Sequence, residues 1–185
     1  MSGQVGYRIE PGISKFTARA FAGGMLSAFG HSPTFAVRRF GGEATFDGEG
    51  EGSLELSIES GSLDLLDDVA ERDRREILRT MHDEVLETAR FPQISYRCPA
   101  SGLSARSTGP GRFDVTLSGS LTLRGVTRPL PIVAHVVAGE ETLRGYGEVA
   151  VKRSDYGVKD VAAAGNMIKV KDEVKVSFDI VARRQ

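Results

Sequence analysis

The 185-residue sequence predicts an all-β fold, an antiparallel barrel or sandwich of about eight strands with a single amphipathic helix. Three observations lead there. Residues 113 to 124, FDVTLSGSLTLR, alternate apolar and polar side chains, so one face of a long strand is dry and the other wet. Glycine and proline punctuation at Pro11-Gly12, Asp47-Gly48, Gly50 to Gly52, Gly109 to Gly111, Gly125 and Gly139 cuts the chain into strand-length pieces joined by hairpin-length turns. Only one stretch, from Asp73 to about Glu87, has apolar residues at helical spacing.

Taken in order, strands are expected at 5–10, 14–21 and 34–47, and then at 53–60, where Leu54, Leu56 and Ile58 point inward. Residues 41 to 52, GGEATFDGEGEG, also read as a solvated turn without the spacing of a phosphate-binding loop. On an uninterrupted strand Arg38 and Arg39 fall on opposite faces, and an inward one needs an anionic partner. In the helix, Ile77, Leu78, Met81, Val85 and Leu86 share a face, Asp73 and Glu76 form a capping box, and Pro92 stops the element. A lone amphipathic helix must lay its stripe on something, so it is expected as a plug or lid at the end or side of the sheet. Strands follow at 93–98, 113–124, 129–138, 142–153 and 172–183, the last with Val174, Val176, Phe178, Ile180 and Ala182 inward. Residues 1–185 are expected to be one domain.

Lys plus Arg number 24 and Asp plus Glu 25, which leaves no electrostatic basis for a nucleic-acid partner. Cys98 is alone, so no intramolecular disulfide forms. No apolar run is long enough for a transmembrane helix and the first residues lack the pattern of an export signal, so the expectation is a soluble cytoplasmic protein rather than an integral membrane one.

Several stretches together resemble the YceI-like family. GSLTLRGVTRPLPIVAHV at 119–136 is similar to its strand, glycine corner and Thr-Arg-Pro; ARFPQISYR at 89–97 to its Phe-Pro strand opening; VKRSDYGV at 151–158 to its Arg-Ser-Asp-aromatic-Gly segment; DEVKVSFDIVA at 172–182 to its closing strand. Arg72-Asp73 stands where the family has an Arg-Asp pair. Here the following segment is a helix about one turn longer, without aromatics. The resemblance implies a lipocalin-like barrel that binds polyisoprenoids and related long-chain amphiphiles, with no cofactor and no catalysis.

The inward residues Leu117, Leu121, Val149, Val151 and Val176, with Gly119, Gly145 and Gly147 leaving room among them, read either as a packed core or as the wall of a ligand cavity. The resemblance favours the cavity. Phe16, Phe21, Phe35 and Val37 on the strands around residues 24–33, and Tyr156 in the Arg-Ser-Asp-aromatic segment, join Leu117, Gly119, Leu121 and Val149 as candidate ligand contacts.

His31, in AFGHSPTF, admits two roles. It donates to a ligand head group at the barrel mouth beside Phe29, or it bonds locally and holds the turn before Pro33. His82 and His135 are not at metal-ligand spacing from it, and Ser32 is its sequence neighbour, an arrangement that rarely holds a serine-histidine pair. The rival functions are an enzyme using His31 as acid or base and a filled barrel serving as an interaction module. Arg128 and Asp155 are weaker head-group candidates, more usual as a structural corner ion pair. Lys152-Arg153 and Arg183-Arg184 read as solubilising charges. A homodimer is compatible with each reading.

Overall fold

A computed structural model describes residues 5–23, 32–160, 162–163 and 168–185. Its elements are β1 (Val5–Ile9), β2 (Lys15–Gly23), β3 (Thr34–Val37), β4 (Phe40–Phe46), β5 (Gly52–Glu59), β6 (Leu63–Leu65), α1 (Glu71–Arg79), β7 (Gln93–Cys98), β8 (Leu103–Gly109), β9 (Arg112–Leu123), β10 (Val126–Ala138), β11 (Thr142–Lys152), β12 (Ala162–Ala163) and β13 (Ile168–Arg184). They form a closed eight-stranded antiparallel barrel, because four of its staves are broken strands. The breaks fall at Pro11–Ile13 between β1 and β2, at Arg38-Arg39 between β3 and β4, at Ser60–Ser62 between β5 and β6, and at Ala100–Gly102 between β7 and β8. Each stave pairs with the next, and β13 closes the ring by pairing Phe178 with Phe16 of β2 and Ala182 with Ile9 of β1.

The breaks explain where sequence periodicity misleads. The single strand expected at 34–47 divides at Arg38-Arg39, so strict alternation fails there and both side chains face solvent. Arg38 pairs with Asp64 at 3.2 Å, and Arg39 grips Glu59 through two bonds of 2.5 and 2.6 Å. Neither arginine enters the barrel. The stretch 41–52 is a strand as far as Phe46, and only Asp47–Glu51 turns, with the Asp47 carboxylate accepting the N–H groups of Glu49, Gly50 and Glu51 at 2.8 to 3.0 Å. Three such bonds hold the Asp47 carboxyl below its ordinary range.

The helix begins two residues earlier than expected, at Glu71, and continues as a π-helical segment over Thr80–Val85. Ala70 precedes it without a side-chain cap, so the expected Asp73–Glu76 capping box is absent. Asp73 instead lies within the first turn, where its charge complements the helix dipole. The π-helical turn brings Met81 into burial beside Phe35, Leu65 and Leu86. This cluster lies on the Leu123 end of the barrel, and Leu63 and Leu123 pack against it. The opposite end is shut by Tyr7, Ile9, Phe46, Leu143 and Ala182, with the Phe46 and Phe113 rings edge to face at 5.1 Å. β2 ends, and the antiparallel β3 begins, at the helix end.

Candidate binding cavity

Period-two alternation along every stave sends one set of apolar side chains inward. They enclose a cavity of about 250 Å³, where a water molecule needs only about 10–15 Å³. Walls of Phe16, Val37, Leu54, Leu56, Ile58, Leu117, Leu121, Val149, Val176 and Ile180 make it almost wholly hydrocarbon. Three polar residues border it among the described residues, Thr45, Ser53 and Tyr96, but Thr45 and Ser53 alternate with the inward Ala44, Phe46 and Leu54 and so turn their side chains to the outer face. The first two hydrogen-bond each other at 2.9 Å, and Thr45 Oγ1 also accepts the Ser53 N–H at 3.0 Å. Tyr96 Oη accepts the Gly119 N–H at 3.1 Å and lies 3.0 Å from both the Leu117 and Leu130 carbonyl oxygens, to which its proton is donated. Burial, with Cys98 nearby, pushes the Tyr96 phenol up to about 12. Among the described residues the cavity thus presents no unpartnered hydrogen-bonding side chain; its wall can hold alkyl or prenyl chain but offers little to a polar group.

The helical segment covers one end of this space, since Leu63 both lines the cavity and packs under it. Two arginine contacts pin the cover. Near its start, Arg74 donates to Asp64 at 2.7 Å and to the Leu65 carbonyl at 2.8 Å. Past its end, the Glu87 carboxylate takes a short bond from Arg124, whose Nη1 also donates to the Gly157 carbonyl at 2.6 Å. The Arg124 bond holds the Glu87 carboxyl below its ordinary range. Glu87 and Arg124 both sit in the left-handed region, at φ 48° and 50°, which non-glycine residues adopt only where their surroundings enforce it.

Residues 7–182 match the YceI-like domain. A UPF0312 protein of Shewanella denitrificans is 32% identical over 157 residues, covering 78% of this chain and 75% of the relative. The chain belongs to the YceI-like family. A second UPF0312 protein, from Shewanella sp. strain ANA-3, is 29% identical over 126 residues, and this YceI-like chain spans 61% of its length. Among solved structures, a polyisoprenoid binding domain from Saccharophagus degradans superposes with TM-score 0.69 at 16% identity, covering 98% of this chain and 99% of that one. BcnA of Burkholderia cenocepacia gives 0.66 at 20% identity, covering 94% and 98%. At such identities the superpositions speak for a shared fold.

Within this YceI-like barrel, Phe16, Val37, Leu117, Leu121 and Val149 line the cavity. Phe35 does not: it is buried under the helical cover. Phe21 lies with the Arg19 guanidinium 5.3 Å from its ring centre. Tyr156 is buried in the turn after β11, outside the lining. Gly119 faces inward, yet its space is taken by the Tyr96 ring, and Gly147 likewise lies beneath Phe178; Gly145 alone of the three opens onto the cavity. Phe29 and His31 fall outside the described residues. His82 is in the π-helical segment, and His135 is on the outer face of β10, 2.8 Å from Asp114.

Two charge readings change. The corner arginine that makes an ion pair is Arg124; Arg128 reaches only the Asp155 backbone carbonyl, at 3.4 Å. Arg153 is no solubilising charge. Its side chain is 11% exposed, bonds Asp160 at 2.7 Å and the carbonyls of Val158, Lys159, Val170 and Lys171 at 2.7 to 3.3 Å, and so ties the turn after β11 to β13. Tyr96, Glu87, Arg124 and Arg153 were not singled out for these roles by sequence. The signal available for Tyr96 was the inward glycine at 119, a space that a large neighbour fills.

Proposed function

We propose that this protein binds, and carries or sequesters, a long-chain amphiphile of the polyisoprenoid or prenyl-quinone class, with fatty acids or fatty amides as the nearest substitutes. The observation that carries the reading is a cavity of about 250 Å³ walled by hydrocarbon, whose inward polar side chain among the described residues, Tyr96, already spends its hydroxyl on backbone groups. Each methylene moved into it from water gains about 0.8 kcal/mol, so the chain supplies the affinity and a head group has to sit toward the helix end. Membership in the YceI-like family and the likeness to a polyisoprenoid binding domain support the same chemistry. Binding rather than turnover is part of the proposal, and what supports it is that Tyr96, the inward polar side chain among the described residues, spends its hydroxyl on backbone groups. Phe16, Val37, Leu117, Leu121 and Val149 are the proposed chain contacts.

The test is extraction of purified protein into organic solvent followed by mass spectrometry, together with thermal denaturation in the presence of added prenyl quinones. A co-purifying lipid or a raised Tm is expected. Extracts empty of lipid combined with an unmoved Tm would refute the reading.

A further inference from the structure

We propose that Tyr96 sets the length of chain the cavity accepts, an inference that rests on the hydrocarbon-binding function above. Its side chain enters the cavity from the middle of the barrel wall: on β7 it pairs with Leu56 on one side and Leu121 on the other. Toward the closed base lie Val115, Val136 and Leu143, and toward the helix end lie Val37 and Ile58, all of them lining the same space. A chain entering from the helix end therefore passes Tyr96 before it reaches the base.

Most lining residues are Leu, Ile, Val or Phe, held by packing and free to adjust their rotamers around a guest. Tyr96 is fixed at its tip. It is 3% exposed, and its hydroxyl bonds Gly119, Leu117 and Leu130 on two strands that pair in unbroken register from Leu123↔Val126 to Arg112↔Val137. Swinging it aside leaves the Gly119 N–H buried without a partner. The ring also lies where a side chain at residue 119 would stand, since a Cβ there would fall 2.5 Å from both Tyr96 Cζ and Oη. Gly119 thus exists to seat the phenol and does not widen the lumen. The phenol becomes a rigid step in an otherwise adaptable wall.

The experiment measures affinity for a series of straight-chain primary alcohols by displacement of a fluorescent fatty acid. In the wild type, each added methylene tightens binding about fourfold until the space is filled, after which the gain stops. Tyr96→Leu is expected to move that break to longer chains, Tyr96→Trp to shorter ones, and Tyr96→Phe, which keeps the ring but frees its tip, to move it toward longer chains by less than Tyr96→Leu does. Circular dichroism selects the folded variants, and either the smaller or the larger substitution suffices to read the shift. A break that stays at the wild-type length in a folded Leu or Trp variant overturns the inference while leaving hydrocarbon binding intact. A wild type whose affinity does not rise with chain length at all overturns the binding function and this inference with it.

Discussion

Replacing Tyr96 by Phe removes one oxygen from the barrel interior and should be costly in a pH-dependent way. The ring, its packing and its place over Gly119 are retained, so no large void forms. What is lost is the acceptor for the buried Gly119 N–H and the donor to the Leu117 and Leu130 carbonyls. A buried amide left without a partner costs about 1–3 kcal/mol, and about 2 kcal/mol in a domain of this size lowers Tm by about 6 °C. The pH dependence follows from the same burial. Burial pushes the folded phenol up to about 12 from its ordinary 10.0. The protonated form is thus favoured in the folded state: its contribution is complete below pH 10 and is lost as pH climbs from 10 to 12. Over that window the wild type loses about 2–3 kcal/mol that the Phe variant never had. Urea denaturation of both proteins, followed by circular dichroism from pH 8 to pH 12, should show a gap of about 2 kcal/mol that closes with rising pH. A gap below about 0.5 kcal/mol at pH 8, or one that does not change with pH, would refute the buried three-way hydroxyl bond.

Other outcomes follow from the same geometry. Gly145→Leu should insert a side chain into open cavity, where a Cβ meets only Val136 at 3.9 Å, weakening chain binding by about tenfold or more with little loss of Tm; ligand displacement and thermal melts check this together. Arg153→Ala strips hydrogen bonds from four carbonyls and should lower stability by about 2–3 kcal/mol in urea titrations, far more than a surface charge would. Glu87→Gln should loosen the helical cover and speed release of a bound fluorescent fatty acid in stopped-flow exchange. Because the folded Glu87 carboxyl is held low by Arg124, wild-type release should accelerate only as pH falls through that lowered value, and the Gln variant should lack the acid step. His31→Ala should weaken binding of a chain with a hydrogen-bonding head group by up to about tenfold while leaving a plain alcohol unaffected, if His31 serves the head group; equal affinities would assign it to the turn.

The alternation of FDVTLSGSLTLR and of the terminal strand was enough to identify a half-wet β wall, because a period of two survives any tertiary arrangement that buries one face. The helix was legible for the same kind of reason. β6 and β8 were missed because they pair only as continuations of β5 and β7 after a break, and a three-residue strand such as Leu63–Leu65 carries no periodic signal of its own. The capping box failed because Glu71 and Arg72 extend the helix past Asp73.

By itself, the sequence determined the all-β class, the inward set that includes Leu117, Leu121, Val149 and Val176, and the resemblance to a lipid-binding barrel family, since each of these is local or a matter of motif. Only the tertiary structure decided which inward glycine is space and which is filled. Gly119 and Gly145 look alike along the chain, but Tyr96, 23 residues away, reaches across to one, whereas only the Val136 side chain comes near the other, 3.9 Å from where a Cβ would stand. It likewise chose Arg124 over Arg128 as the partner of a carboxylate 37 residues distant, and turned Arg153 from a surface charge into a tie between strands. Such pairings arise from ring closure, which brings together residues whose separation along the chain holds no record of their contact.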